Sequence, residues 1–352
     1  MTNEQNNILV GQRMEELESF ALSIGRNKYR GRQLYKWIYE KHARAFDEMT
    51  DTPLGLRQKL AENAQLGWLE LADKNQSDES GSIKYLFKLP DGNFIESVLI
   101  PESERRTLCI SSQVGCSFNC RFCATGRLGF RRNLTTGEIV DQVLFVADDQ
   151  DEFPTNIVFM GMGEPFYNYD NVIQAASLIA DDNGMNIASK RVVISTAGIV
   201  ERINQYTREK HKYKLAVSLN SPFEAERKQL MPGTRLWAFS DLIEALQKYT
   251  HITKRKPTIE YVLFHGLNDT ERHARSLRQI VNRMPCKLNL IPYNPVEPDY
   301  HRPTVESVGA FMNWLQPLNC GLSVRWSKGT DINAACGQLA GSKQYEEVQR
   351  AV

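Results

Sequence analysis

Three cysteines, Cys116, Cys120 and Cys123, fall in one short run at spacings of x3 and x2. Thiolates this close in sequence can converge on one point, whereas disulfide partners usually sit farther apart and come in even numbers. Soft sulfur ligands select zinc, copper(I) or an iron–sulfur cluster. A structural zinc site wants four ligands and the run supplies three. A four-iron cluster held by three cysteines instead keeps one iron free of protein and able to chelate a small molecule. Zinc with Cys109 as fourth ligand is the competing reading. Of the remaining cysteines, Cys109 lies in an apolar strand, where a thiol is usually a small buried apolar group. Cys336 is flanked by Gly329, Ala334, Ala335 and Gly337, small neighbours that give a reactive thiol access and mobility. Cys286 and Cys320 lack such surroundings and read as structural.

Positioning these residues falls to an α/β pattern. From Thr107 the chain alternates β-rich runs, Thr107–Val114, Asn156–Met160, Arg191–Thr196, Lys214–Leu219, Thr258–Phe264 and Lys287–Pro292, with helical stretches. One stretch opens on Thr135-Thr-Gly-Glu138, which has capping-box spacing; Asn171–Ala180 and Thr270–Met284 are others. A last strand, Leu322–Trp326, leads into the loop of Cys336. Such alternation predicts a parallel sheet with helical crossovers, although six units cannot be told from a full eight-unit barrel by pattern alone. In parallel barrels, functional groups gather at the carboxyl ends of strands. The cysteine triad follows the first strand, Gly161-Met-Gly163-Glu164-Pro165 the second, Ser195 ends the third, Ser218 and Asn220 the fourth, and Asn294 the sixth. Upstream, Val10–Leu69 reads as helical, with Leu34, Trp37 and Ile38 on one face of a basic helix. Asp73–Ser82 is polar, without periodicity, and reads as a linker. Ile83–Leu89 and Phe94–Ile100 flank an Asp91-Gly92 turn and predict a β-hairpin.

With these motifs in view, the triad and its preceding Phe122 resemble the signature of radical S-adenosylmethionine (SAM) enzymes. There a [4Fe-4S] cluster binds SAM through its open iron and cleaves it reductively to a 5′-deoxyadenosyl radical. The resemblance implies a partial (β/α)6 barrel, with Cys116, Cys120 and Cys123 as cluster ligands. Gly163 and Glu164 would hold the SAM amino group, and Ser195, Ser218, Asn220 and Asn294 would line its pocket. Thr107-Leu-Cys109-Ile-Ser-Ser-Gln-Val-Gly-Cys116, Phe159–Pro165, Ile259–Phe264 and Asp331-Ile-Asn-Ala-Ala-Cys336-Gly-Gln-Leu339 are similar to the RlmN family. That family methylates carbon 2 of an adenine in 23S rRNA and in certain tRNAs; its sister family, Cfr, methylates carbon 8. By resemblance, Cys336 takes a methyl group from one SAM, and a second SAM supplies the radical. Cys109 resolves the resulting protein–RNA adduct through a transient disulfide, and Glu96 accepts the ring proton. The expected organisation is a helical RNA-binding module (1–72), a linker and hairpin (73–106), the radical-SAM core with its thiol loop (107–341) and a tail (342–352).

At 352 residues, 41% hydrophobic and 24% charged, the composition is that of an ordinary soluble protein without a membrane-spanning run. The N-terminus has no basic region followed by an apolar core, and seven cysteines, an odd number, suit a reducing compartment. Cytoplasmic residence follows as the expectation, with no membrane partner, action as a monomer, and an electron donor such as flavodoxin. The net charge of +1 hides two basic concentrations. Arg26, Lys28, Arg30, Arg32, Lys36, Lys41 and Arg44 stand against Glu40, and Arg121, Arg127, Arg131 and Arg132 adjoin the triad. Clustered cations on a balanced chain are the footprint of a polyanion. The alternatives are a carbon-8 methyltransferase and, in another class, a non-catalytic zinc-stabilised RNA-binding protein. Two features depart from the family pattern: Asn220, where the family has His, and Leu230-Met-Pro-Gly-Thr-Arg-Leu-Trp237, where it has an Asn-Lys-Lys-like run.

Overall fold

The structure is a computed structural model that describes residues 7–341; the expected tail lies outside the described residues. The N-terminal module consists of helices α1 (Met14–Ser23), α2 (Lys28–Tyr39) and α3 (Leu54–Asn63), closed by the parallel pair β1 (Asn7–Ile8) and β2 (Ala64–Gln65). Helix α2 buries Leu34, Tyr35, Trp37, Ile38 and Tyr39, the face its periodicity announces.

The chain then builds β3 (Glu70–Gln76), β4 (Ile83–Lys88), β5 (Phe94–Glu102) and β6 (Arg105–Cys109) as an antiparallel meander. The first four residues of the segment read as a linker, Asp73–Gln76, are therefore part of strand β3. It is the edge strand of the sheet, almost wholly exposed, so neither face imposes the alternation by which a strand is recognised, and polar residues guard the edge. The run Thr107–Val114 is likewise broken in two. After Cys109 the chain turns under Gln142, whose amide exchanges hydrogen bonds with the backbone of Ser111 (2.8 and 3.0 Å). It resumes as β7 (Gln113–Gly115), paired with β8 (Phe130–Asn133) across the short helix α4 (Ala124–Arg127).

From β6 onward every neighbouring pair in the main sheet is parallel: β9 (Asn156–Phe159), β10 (Val192–Thr196), β11 (Lys214–Ser218), β12 (Thr258–Leu263), β13 (Lys287–Pro292) and β14 (Gly321–Val324). The connections carry α5 (Thr136–Asp149), α6 (Tyr169–Ile179), α7 (Val200–Glu209), α8 (Glu224–Leu230), α9 (Phe239–Thr253), α10 (Glu271–Val281) and α11 (Val305–Trp314). Six βα units and a closing β14 make the expected partial barrel. Strands such as β11, with the consecutive Leu215, Ala216 and Val217 fully buried, hold it together by burial on both faces. The capping box of α5 forms as read: Thr135 Oγ1 accepts from Glu138 N (3.2 Å), and Glu138 Oε2 accepts from Thr135 N (2.8 Å).

Helix α5 also docks the module. Its fully buried Asp141 accepts from Trp68 N (2.6 Å) and Leu69 N (2.9 Å) and pairs with Arg44. Removing one partner of a buried, hydrogen-bonded pair costs about 3–5 kcal/mol. Asp141→Ala is therefore expected to lower unfolding free energy by about that much in urea titration, and a loss below about 1 kcal/mol would contradict this reading of the junction.

Candidate active site

The loop after β7 is shaped by close backbone approach. Gly115 has φ +71°, and a Cβ there would lie 1.8 Å from Gly129 O, the carbonyl that accepts from Cys116 N (2.9 Å). Asn119 takes a left-handed turn (φ 50°), which asparagine tolerates. Cys123 N donates to Cys120 O (3.1 Å), and Gly126 leaves no room for a side chain against Cys120 N and O (2.9 Å each). These constraints turn Cys116, Cys120 and Cys123 onto the wall of one cavity of about 180 Å3. Burial pushes all three thiols up, Cys116 to about 12, and the charges of neighbouring thiols add to the rise.

The same cavity collects the strand-end residues: Gly163, Glu164, Ser195, Ser218, Asn220 and Asn294 all line it. Gly163 has φ +100°, and a Cβ there would sit 2.5 Å from that of Gln113, so the turn after β9 requires glycine. Glu164 is buried; its Oε1 accepts from Phe166 N (2.9 Å) and its Oε2 from Ala197 N (2.7 Å). Desolvation raises its carboxyl to about 7 despite these donors. Asn220 adopts φ 60°, and its Oδ1 already accepts from Val262 N (2.9 Å). The departure from His at this position thus falls on a left-handed turn, where Asn is favoured. Asn294 Nδ2 donates to Cys336 O (3.0 Å), while its buried Oδ1 has no partner.

Cys336 lines this cavity and also a second one of about 20 Å3, which it shares with Cys109, Met160 and Arg325. The two thiols that the sequence sets far apart stand at one small space, and burial, with the charge of Cys336 adding to it, pushes Cys109 to about 12. The thiol loop is anchored where mobility was expected. Gly337 O accepts from Ala124 N (2.7 Å) and Leu339 O from Thr125 Oγ1 (2.5 Å), tying the loop to the triad's own helix.

Glu96, the expected proton acceptor, is buried and lines neither cavity. Its Oε2 accepts from Ala340 N (2.7 Å) and Gly341 N (2.9 Å), and Lys84 Nζ stands 3.7 Å from Oε1. The carboxylate clasps the end of the thiol loop.

Several cations of the two basic runs are committed to the fold. Lys28 and Arg32 share Glu18, and Arg44 serves Asp141. Arg127 pairs with Glu297, and Arg132 with Asp91 and Glu138. Arg26, Lys36, Lys41, Arg121 and Arg131 remain exposed. The segment that departs from the family pattern packs behind the triad: Gly233 N donates to Phe118 O (3.0 Å), and Phe118 stacks on Trp237.

Three site residues escaped the sequence reading. Glu260 lines the main cavity from β12; its carboxylate, raised by burial, accepts from Asn289 Nδ2 (2.6 Å). Arg227, buried on α8, donates to Ala197 O and Ser218 O beneath the cavity. Arg325 enters the smaller space. A charged residue within an apolar strand, as in Ile259-Glu260-Tyr261, is a readable signal; Arg227 on its polar helix gave none.

The residues present fit a cluster with its cosubstrate better than a single ion. Among the described residues, no three His, Cys, Asp or Glu side chains gather tightly enough to hold one metal ion. A void for one water-sized occupant takes about 10–15 Å3, an order of magnitude below this cavity. The buried, unpartnered Asn294 Oδ1 calls for a polar ligand.

A cysteine-lined cavity at the mouth of a partial barrel is the arrangement of a radical-SAM protein, and residues 110–277 match the Radical SAM superfamily. Residues 7–66 match the ribosomal RNA large subunit methyltransferase N-terminal domain. The chain is 43% identical to the dual-specificity RNA methyltransferase RlmN of Geobacter sulfurreducens over 94% of its own length and 91% of that protein's. It is 39% identical to the protein of the same name from Marinobacter nauticus, over 97% of both chains. A radical SAM methyltransferase of Sphaerobacter thermophilus superposes with a TM-score of 0.91 at 40% identity, over 95% of this chain and 99% of that one. The chain belongs to the RlmN family. Its superfamily works with a [4Fe-4S] cluster and SAM. Among the described residues no helix is long and apolar enough to cross a membrane.

Proposed function

We propose that this protein is an RNA methyltransferase that places a methyl group on carbon 2 of an adenine in 23S rRNA and in tRNA. The observation that carries the reading is the meeting of Cys109 and Cys336 at a small space that shares Met160 and Cys336 with the wall of the cavity lined by the cysteine triad. Carbon 2 of adenine is electron-poor and has no nucleophilic lone pair, so simple displacement on a methyl sulfonium cannot methylate it.

Cys116, Cys120 and Cys123 would hold the cluster, and Gly163, Glu164, Ser195, Ser218, Asn220 and Asn294 would hold SAM; when bound, the pair would supply the one-electron chemistry that yields a carbon radical. Cys336 carries the transferred carbon as its S-methyl group, presented at the junction of the two cavities, and Cys109 attacks that sulfur to free the methylated base. Glu96 is the proton acceptor once the N–H groups of Ala340 and Gly341 release it. A folded RNA buries its adenines by stacking, so the target is taken out of the stack to reach the barrel mouth. Arg26, Lys36, Lys41, Arg121 and Arg131, exposed cations that form no ion pair among the described residues, grip phosphates around it. A cytoplasmic monomer fed by a flavodoxin-like donor completes the reading.

The nucleosides of 23S rRNA and tRNA from cells with and without the gene, resolved by mass spectrometry against synthetic standards, test it. The expected result is 2-methyladenosine only where the protein is present; 8-methyladenosine would overturn the regiochemistry. A second test concerns pH. The raised carboxyl of Glu164 must ionise to favour a cationic cosubstrate, so binding releases a proton and affinity falls as pH drops through about 7. SAM affinity of the cluster-loaded protein is expected to weaken about tenfold from pH 8 to pH 6, and Glu164→Gln to flatten that slope. An equally steep slope in the variant would show that another group sets it.

A further inference from the structure

Arg325 is the first residue beyond β14, fixed there by its backbone N, which donates to Leu290 O (2.8 Å). Its side chain enters the small cavity between Cys109 and Cys336, and Nη1 approaches Met160 Sδ at 3.7 Å. Among the described residues it forms no ion pair with a carboxylate; Glu260 on β12 and Glu102 on β5 act on it only at longer range. Lys328, the other cation on this cavity, points its Nζ to Pro101 O (3.0 Å). A guanidinium cannot discharge by losing its proton, and Arg325, only partly open to water, has no acid paired to it among the described residues. An unpaired cation beside two thiols favours their anionic forms.

We infer that Arg325 is a positioning residue for the resolution step, stabilising the Cys109 thiolate as it forms to attack the sulfur of Cys336. The inference rests on the proposed two-thiol methyl transfer. In the step, after the ring proton has left, the Cys109 thiolate pair forms an S–S bond with Cys336 and the S–C bond to the methylene breaks. The S–C electron pair stays with the carbon and becomes a C–H bond by taking a solvent proton. Both sulfurs end oxidised as a disulfide, the transferred carbon ends reduced as methyl, and an added dithiol resets the pair. Attack requires the thiolate. Burial, and after it the charge of Cys336, raise the Cys109 thiol, and Arg325 works against that rise.

The test uses cluster-reconstituted full-length enzyme, SAM, RNA substrate and dithiothreitol, with protein–RNA adduct followed on denaturing gels from pH 7 to 9. Arg325→Gln is expected to form the adduct, accumulate it, and resolve it at least about tenfold more slowly than wild type at every pH from 7 to 9, both rates rising with pH because burial keeps Cys109 above that range. Arg325→Lys, which keeps the cation, should resolve it close to the wild-type rate with the wild-type pH profile. If Arg325→Gln loses its iron, the lysine variant decides: a wild-type profile supports a charge role, and unresolved adduct at every pH refutes it. Wild-type turnover by Arg325→Gln with an unchanged pH profile overturns the inference. Cys109→Ala run in parallel separates the two levels. Adduct there but none with Arg325→Gln sinks only the role of Arg325, whereas no adduct with Cys109→Ala removes the two-thiol reading and this inference with it.

Discussion

Cys336→Ala is expected to abolish RNA methylation, with a loss of at least about 10^3-fold, and to form no covalent adduct with RNA. The size of the effect follows from the role: the thiol carries the carbon that is transferred, and no neighbour can substitute. Cys123 lines the same cavity but is proposed as a cluster ligand, and Cys109 sits on the smaller space alone. Because Cys336 makes only its backbone carbonyl available to Asn294, alanine keeps the loop's anchors, so the cluster should load normally. Iron content and visible absorbance of the variant therefore separate lost chemistry from lost folding. Methylation at even a tenth of the wild-type rate would remove Cys336 from the reaction.

Cys109→Ala should behave differently. It leaves the carbon carrier intact and removes only the thiol that releases it, so enzyme is expected to stop after one event, linked to RNA in nearly stoichiometric amount, with turnover down by about 10^2- to 10^3-fold. The substitution removes one buried sulfur from strand β6, where Cys109 pairs in register with Val98 and Val158, at a stability cost of about 1–2 kcal/mol. A protein that stays folded and brown yet traps its substrate is the distinguishing outcome. Normal turnover would assign Cys109 to packing.

The features legible in the sequence are those that local chemistry fixes. The triad's spacing is a property of a short loop, the capping box of α5 a property of four residues, and alternating strands announce themselves because burial on both faces demands apolar runs. What escaped reading depends on partners far along the chain. Glu96 resembles any strand carboxylate until the thiol loop, some 240 positions later, delivers two N–H groups to it (|i−j| of 244 and 245). Strand β3 is polar because it is an edge, and a polar edge looks like a linker. Arg127 and Arg132 read as an RNA patch, but Glu297, Asp91 and Glu138 hold them, and no charge count along the chain could reveal that. Arg325 illustrates the same limit, since its meaning lies in two cysteines more than ten and two hundred positions away, respectively, brought together only by closure of the barrel.

The most direct test of thiol-mediated carbon transfer is the isotopic content of the product methyl. Reconstituted enzyme, dithionite, dithiothreitol and RNA are given SAM bearing a trideuterated methyl group, and the nucleosides are weighed by mass spectrometry. Passage over Cys336 surrenders one deuterium to the radical and regains one hydrogen from solvent, so 2-methyladenosine carrying two deuterium atoms is the expected product. A product that retains all three would mean that the methyl group moved intact from sulfonium to base, contradicting the assigned work of both thiols.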